Sequence, residues 1–260
     1  MIKVNLIGGL GNNMFQYAIG RLLADMKGCN LQIIDTTNCV GMKKLQQLFP
    51  NVINITNRKN VTDNILEIGN DGYVQHIDVE KIINHDGCVE LFGFFQKKKL
   101  YESKIDQIKN WFLFNDDSYI KPNKNDLVIH YRLGDYVTLG WHMFPEDYIK
   151  IIENNKIKYD NCFIVTDNPT SPLLQSFVIL KNLKIINQTE LADLTFIKHA
   201  KQLIISHSSF SWWGAFLGNQ DKVYVPMYRE RSKQCWTHSP TKIDDIDLVL
   251  DNDKFIKEII

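Results

Sequence analysis

The sequence predicts an α/β protein in two halves, each an open sheet of strands alternating with helices. Three observations predict it. A strand, a glycine turn, an amphipathic helix and a second strand follow one another within the first 35 residues. A polar stretch, Asn115-Asp-Asp-Ser followed by Lys121-Pro-Asn-Lys-Asn-Asp, interrupts the pattern near the middle and reads as a boundary. After it, the alternation of apolar runs and helical patterns starts again.

Taken in order, Ile2 to Ile7 is an apolar run closed by Gly8-Gly9, which reads as a strand entering a turn. Phe15, Ala18, Ile19, Leu22, Leu23 and Met26 then recur on one helical face until Gly28 ends it. Leu31 to Ile34 is the second strand. Residues 36 to 90 mix short apolar segments with Asn, Asp, Thr and Gly, and assign no element. Val89 to Phe95 reads as a strand, Lys97-Lys98-Lys99 as a solvated turn or helix start, and Tyr101 to Phe112 as a helix. Beyond the polar stretch, strands are expected at Leu127–His130, Cys162–Val165, Leu183–Ile186, Leu203–Ser206 and Val223–Val225. Helices are expected at Pro145–Glu153, Ala192–Ala200 and Trp212–Leu217, with a terminal helix over Phe255–Ile260.

Composition narrows the function classes. The chain has 260 residues, 44% hydrophobic and 23% charged, which is globular rather than disordered or fibrous. Its 14 Phe, 10 Tyr and 5 Trp can fill a large core without a crosslink or structural metal. Thirty basic and 30 acidic residues give a formal net charge of zero, which argues against a nucleic-acid binder. No apolar run of about 18 residues is present to span a bilayer, and the opening lacks the pattern of a signal peptide. The expected location is therefore the cytoplasm, including the periphery of a membrane. The five cysteines, Cys29, Cys39, Cys88, Cys162 and Cys235, are odd in number and scattered, so they read as reduced thiols rather than a disulfide framework or zinc site.

Three constellations carry chemistry. Gly8-Gly9-Leu10-Gly11-Asn12-Asn13-Met14-Phe15-Gln16-Tyr17-Ala18 places glycines between strand and helix, where backbone amides approach a ligand. It lacks the third glycine of a dinucleotide fingerprint and the Gly-Lys-Ser/Thr of a P-loop. It is either a tight turn or a ligand contact, with Asn12 and Gln16 favouring the latter. In Val128-Ile129-His130-Tyr131-Arg132-Leu133-Gly134-Asp135-Tyr136, a buried strand ends in His, Arg and Asp. Arg132 offers a planar fork that fits a phosphate, and Asp135 either orients that fork or acts as a base. Ser206-His207-Ser208-Ser209-Phe210-Ser211 joins a strand to a helix. Its hydroxyls and free N–H groups suit an anion, or one serine simply caps the helix. Trp212 and Trp213 read as packing. Asp167 stands at a strand end, and Asp193 at a helix start where it can act as a cap. Asp245-Ile-Asp247 matches a metal-binding pair that arises easily by chance, and no zinc-spaced cluster is present. Together these features suit a small phosphorylated ligand such as a nucleotide.

The glycine segment resembles the GGLGNQMFQYA opening of the α-1,2-fucosyltransferases, glycosyltransferase family 11. His130-Tyr-Arg-Leu-Gly-Asp-Tyr resembles the family's HxRRGDY element, and Ser208-Ser-Phe-Ser-Trp-Trp-Gly-Ala its SSFSWWGA element. Phe163-Ile-Val-Thr-Asp167 is similar to its fourth, FSDD-like element. The resemblance implies a GT-B fold of two Rossmann-like domains facing a cleft. Residues 1–115 would form the acceptor-side domain and 116–260 the sugar-nucleotide domain, with the terminal helix free to pack back on the first. It implies inverting, metal-independent transfer of fucose from GDP-fucose to a galactose-type hydroxyl, with no cofactor; the partners are a sugar nucleotide and a glycan acceptor. By the family pattern, Arg132 would hold the β-phosphate, and Ser208, Ser209, Phe210 and Ser211 the diphosphate. His130, Asp167 and Asp193 would lie near the nucleoside or phosphates, and Gly9, Gly11 and Asn12 would reach the donor from the first domain. Leu133 replaces the usual second arginine, removing a cation and opening the choice of donor sugar. Asn13 replaces a glutamine, and Trp141-His-Met-Phe-Pro differs from the common version. Another nucleotide-deoxysugar donor, or an inactive sugar-nucleotide or glycan-binding protein, are the competing readings.

Overall fold

The computed structural model describes residues 1–53, 64–69, 76–228, 247–250 and 253–260. The chain divides into two compact units, Met1–Phe114 with Thr241–Leu248, and Asn115–Pro240 with Val249–Ile260.

The first unit contains β1 (Ile2–Gly8), α1 (Leu10–Lys27), β2 (Leu31–Cys39), α2 (Met42–Leu48), β3 (Ile65–Ile68), α3 (Val79–Asn84), β4 (Cys88–Leu91) and α4 (Ile105–Trp111). The strands form a parallel sheet in the order β2-β1-β4-β3. Its central strand β1 buries Ile2, Val4 and Leu6 completely. The apolar stripe of α1 packs on this sheet so closely that a Cβ at Gly20 would lie 2.4 Å from Val4 Cγ2. Gly28 ends the helix in the left-handed conformation (φ 63°), its N–H satisfying carbonyls of the last turn. Trp111 at the end of α4 and the following Phe112 pack edge to face on Tyr17, and Phe112 on Phe49.

The second unit contains β5 (Leu127–Tyr131), α5 (Gly134–Leu139), α6 (Pro145–Asn154), β6 (Cys162–Thr166), β7 (Leu183–Ile186), α7 (Glu190–His199), β8 (Gln202–Ile204), α8 (Ser209–Leu217), β9 (Lys222–Met227) and β10 (Phe255–Ile259), with a 3-10 segment at Pro172–Ile179. All its strands pair in parallel, in the order β10-β9-β8-β5-β6-β7. β5 and β6 are buried at every residue, as expected of parallel strands covered on both faces. Leu127, Ile129, Tyr131, Leu133, Tyr148 and Phe177 belong to one core cluster. Trp212 and Trp213 are fully buried and pack with Phe216, which agrees with their reading as packing residues.

Several expected elements change. Phe255–Ile259 is a strand, not a terminal helix: it pairs residue by residue with Val223–Met227 and so completes the second sheet. Its apolar spacing (Phe255, Ile256, Ile259) suits a helix or an edge strand equally, and the open edge of β9 decides between them. Tyr101–Phe112 begins with the 3-10 turn Glu102–Lys104 and becomes α-helical only at Ile105. The strand expected to reach Phe95 stops at Leu91, and Phe95 takes a positive φ of 53°. The stretch left unassigned holds the rest of β2 and all of α2, β3 and α3.

Candidate functional site

In the second unit the chain runs from β5 through β6 to β7 on one side, then returns to build β8, β9 and β10 on the other. The order therefore reverses between β5 and β8, and ligands of open α/β sheets bind beyond the carboxyl ends of the strands at such a point. His130 and Arg132 leave β5 there, and Ser206 to Ser209 leave β8.

The two strand ends are tied by His130 Nδ1 and Ser206 Oγ, 2.7 Å apart and buried. Burial, aided by the Arg132 charge, pushes the His130 imidazole down to about 3, so it is neutral across the physiological range. His207 is likewise held down to about 4 by burial, and its Nε2–H donates to the Pro226 carbonyl. Arg132 is therefore the one positive charge among the described residues of these two strand ends.

Two carboxylates hold that charge. Asp167, at the end of β6, accepts from Leu133 N (2.8 Å) and Gly134 N (3.1 Å), and its other oxygen lies 2.5 Å from Arg132 Nη1. This geometry requires glycine at 134, because a Cβ there would lie 2.4 Å from Asp167 Oδ2. Asp135 accepts from Arg132 Nη2 at 2.7 Å. The Tyr136 ring lies 5.4 Å from the guanidinium carbon, and the Tyr136 hydroxyl donates to His207 O. Leu133 donates its amide to this cluster while its side chain is fully buried in the core. The side chain that departs from the family pattern therefore faces the core and does not open a gap beside Arg132.

At the start of α8, Ser208 is the N-cap, its hydroxyl accepting from Phe210 N. Ser209 and Phe210 are half-buried, and the Phe210 ring lies 5.8 Å from that of His130. Ser211, expected at the diphosphate, lies inside the turn. It is fully buried, and its hydroxyl donates to Ser208 O (3.1 Å) and Ser206 O (3.4 Å), so it braces the turn from inside. Asp193 lies in the first turn of α7, behind the Thr189 cap. One oxygen accepts from Gln188 N at 3.4 Å; the other is buried without a hydrogen bond, and burial raises the carboxyl to about 6. No contact among the described residues joins Asp193 to Arg132, His130 or Ser208.

In the first unit the order reverses between β1 and β4, and the glycine turn lies at the end of β1. Gly9 is exposed as the N-cap of α1, Gly11 is buried, and Asn12 is half-buried with its Oδ1 accepting from Gln96 Nε2 (2.9 Å). Gln16, expected to favour a ligand, is fully buried. It accepts from Ile7 N and Asn13 Nδ2 and donates to Gly93 O. Asn13 binds Ile7 O and accepts from Gly41 N. These two amides hold the turn and leave Gly9 and Asn12 as its accessible polar part.

Asp245 lies outside the described residues, and Asp247 pairs through its backbone with Gln96 and Lys98. Among the described residues no three His, Cys, Asp or Glu side chains gather as a metal ion requires, and no helix is long and apolar enough to cross a membrane. Sequence reasoning passed over Ser206 and Tyr136. Both stand inside the quoted motifs, but the pairings that give them roles span 76 and 71 residues.

The model of the family described as Glycosyl transferase family 11 matches residues 1–244. The chain is similar to an Escherichia coli alpha-1,2-colitosyltransferase, with 28% identity over 263 residues, covering 85% of this chain and 89% of that protein. It is also similar to the Escherichia coli O-antigen biosynthesis glycosyltransferase WbnK, with 26% identity over 279 residues and coverage of 85% and 91%. Among solved structures it resembles a mutant of Arabidopsis thaliana FUT1 in complex with GDP, with a TM-score of 0.52 and 11% identity, covering 90% of this chain and 71% of that one. That likeness shows the fold, which is of the GT-B class: two α/β units, each with a parallel sheet.

Proposed function

As a member of glycosyltransferase family 11, to which the chain belongs, the protein is a glycosyltransferase, and we propose that it moves a fucose-type 6-deoxyhexose from its GDP donor to a galactose-type hydroxyl. The reaction is inverting, forms an α-1,2 linkage and needs no metal. The observation that carries this reading is the guanidinium of Arg132 at the β5/β8 reversal, held by Asp167 and flanked by the capped start of α8. In the reaction the acceptor hydroxyl oxygen attacks the anomeric carbon as the bond to the β-phosphate oxygen breaks; the hydroxyl proton passes to a base or to solvent, and negative charge grows on the departing diphosphate. Preorganised donors aimed at that charge lower the barrier most effectively. Arg132 supplies the positive charge, and the hydroxyls of Ser208 and Ser209 and the dipole at the start of α8 add partial charge of the same sense.

A second donor has specific support, because one relative is named a colitosyltransferase. Colitose is fucose without its 3-hydroxyl, so both donors present the same leaving diphosphate to Arg132. The deciding experiment incubates the purified protein with GDP-fucose or GDP-colitose and a panel of β-galactosides, with and without EDTA, and reads the linkage by NMR. An α-1,2 product formed in EDTA supports the proposal. Turnover that strictly requires a divalent ion, or turnover only with UDP- or dTDP-sugars, overturns it.

A further inference from the structure

The two carboxylates on Arg132 are bound differently. Asp167 is anchored three ways, by the amides of Leu133 and Gly134 and by Arg132 Nη1, and Gly134 leaves the space it needs. Asp135 has one hydrogen-bonding partner among the described residues, Arg132 Nη2, and its side chain is 60% exposed. Each terminal nitrogen of the fork therefore holds a carboxylate, and these two nitrogens form the bidentate face that a phosphate uses. A diphosphate that takes this face bidentately displaces one of the two carboxylates. Displacing Asp167 would strand two amides and break the start of α5, whereas displacing Asp135 costs a single exposed ion pair.

We propose that Asp135 is a stand-in for the donor's phosphate: its carboxylate holds one arm of the Arg132 fork until a diphosphate takes its place, and returns as the product leaves. This rests on the reading of Arg132 as the diphosphate ligand. It gives Asp135 a positioning role, keeping the fork aligned and weakening the hold on product, in place of the base suggested by its position in the motif. The two carboxylates then have opposite effects. Removing the charge of Asp135 frees the fork and strengthens diphosphate binding, by about two- to five-fold for an exchanged exposed pair. Removing the charge of Asp167 releases the fork from its anchor and weakens binding.

The test is calorimetric titration of the full chain with inorganic pyrophosphate and, separately, with GDP, for wild type, Asp135→Asn and Asp167→Asn, with thermal unfolding to confirm that each is folded. The proposal expects Asp135→Asn to bind both probes about two- to five-fold more tightly, Asp167→Asn to bind them more weakly, and the inhibition constant of GDP in turnover to fall with Asp135→Asn. Equal or weaker binding by Asp135→Asn overturns it, as does absence of pyrophosphate binding to wild type. If both variants bind more tightly, a general field effect replaces the specific exchange and the proposal also fails. If pyrophosphate binds as expected but GDP does not, the GDP reading falls while the exchange stands.

Discussion

Replacing Arg132 with alanine removes the positive charge of the proposed donor site and leaves the two carboxylates it paired with, Asp135 and Asp167, unneutralised. Losing one partner of a buried, charged hydrogen bond costs about 2–5 kcal/mol, or roughly 30- to 5,000-fold at 1.36 kcal/mol per decade. The Arg132 side chain is 35% exposed, so solvent screens part of that loss, and the expected fall in kcat/KM is about 10²–10³-fold. Stability should change far less. Asp167 keeps both amide hydrogen bonds, and a partly exposed pair contributes at most about 1 kcal/mol, a shift of roughly 2–4 °C in Tm for a domain of this size. The assay is steady-state GDP release with GDP-fucose and a β-galactoside, run on Arg132→Ala and Arg132→Lys after thermal unfolding confirms both are folded. Lysine returns the charge without the fork and should recover only part of the loss. A folded Arg132→Ala within about three-fold of wild type would refute the reasoning.

Gly134→Ala should act on the same site without touching any charge. Its Cβ displaces Asp167, so donor affinity should fall by about ten-fold or more in a titration with GDP, and an unchanged affinity would remove Asp167 as the anchor. Asp193 titrates near 6 in the folded protein against 3.8 in the unfolded chain, so it favours folding below about pH 4, and this contribution is lost as the pH rises through 6. Asp193→Asn should therefore be more stable than wild type at pH 7.5 by about 1–2 kcal/mol, with the advantage shrinking at pH 4.5 in urea unfolding. Burial alone would raise the Asp116 carboxyl, but hydrogen bonds from Lys198, His199 and Lys121 overcome this and hold it well below the usual range. Its contribution to folding is present at neutral pH and lost in acid, so Asp116→Ala should cost about 1–3 kcal/mol at pH 7. A cost that does not shrink with acidification would show that the clasp is not electrostatic.

The fold was legible where one local signal suffices. β5 and β6 are buried throughout and largely apolar because both faces are covered, and α1 carries an apolar stripe that is buried through Ala24 and leaves Met26 exposed before Gly28 ends the helix. α5 was missed because Gly134, Val137 and Thr138 are poor helix formers; its first amides are satisfied by Asp167, 33 and 34 residues away. The terminal strand is not distinguishable from a helix in sequence because so few residues fit either period, and the hydrogen bonds that decide come from β9. At the site, residue types point to Arg132 and the serine-rich turn, since a guanidinium fork and several hydroxyls at strand ends suit a phosphate. The division of labour among them was not legible. That Ser211 and Gln16 serve the backbone, and that Asp167 and Asp135 share one guanidinium, follows from pairings that sequence spacing does not encode.

Position 133 answers to two masters at once. Its amide serves the charged cluster whatever residue stands there, while its side chain is judged only by neighbours such as Tyr131 and Phe177 in the hydrophobic interior. Randomising it in a search for altered sugar preference would therefore mostly sort variants by how well they pack. An arginine introduced there would have to desolvate or push the strand end apart before it could meet a phosphate. Efforts to retune the donor are better directed at Tyr136, Ser209 and Phe210, whose side chains change without repacking the centre of the sheet.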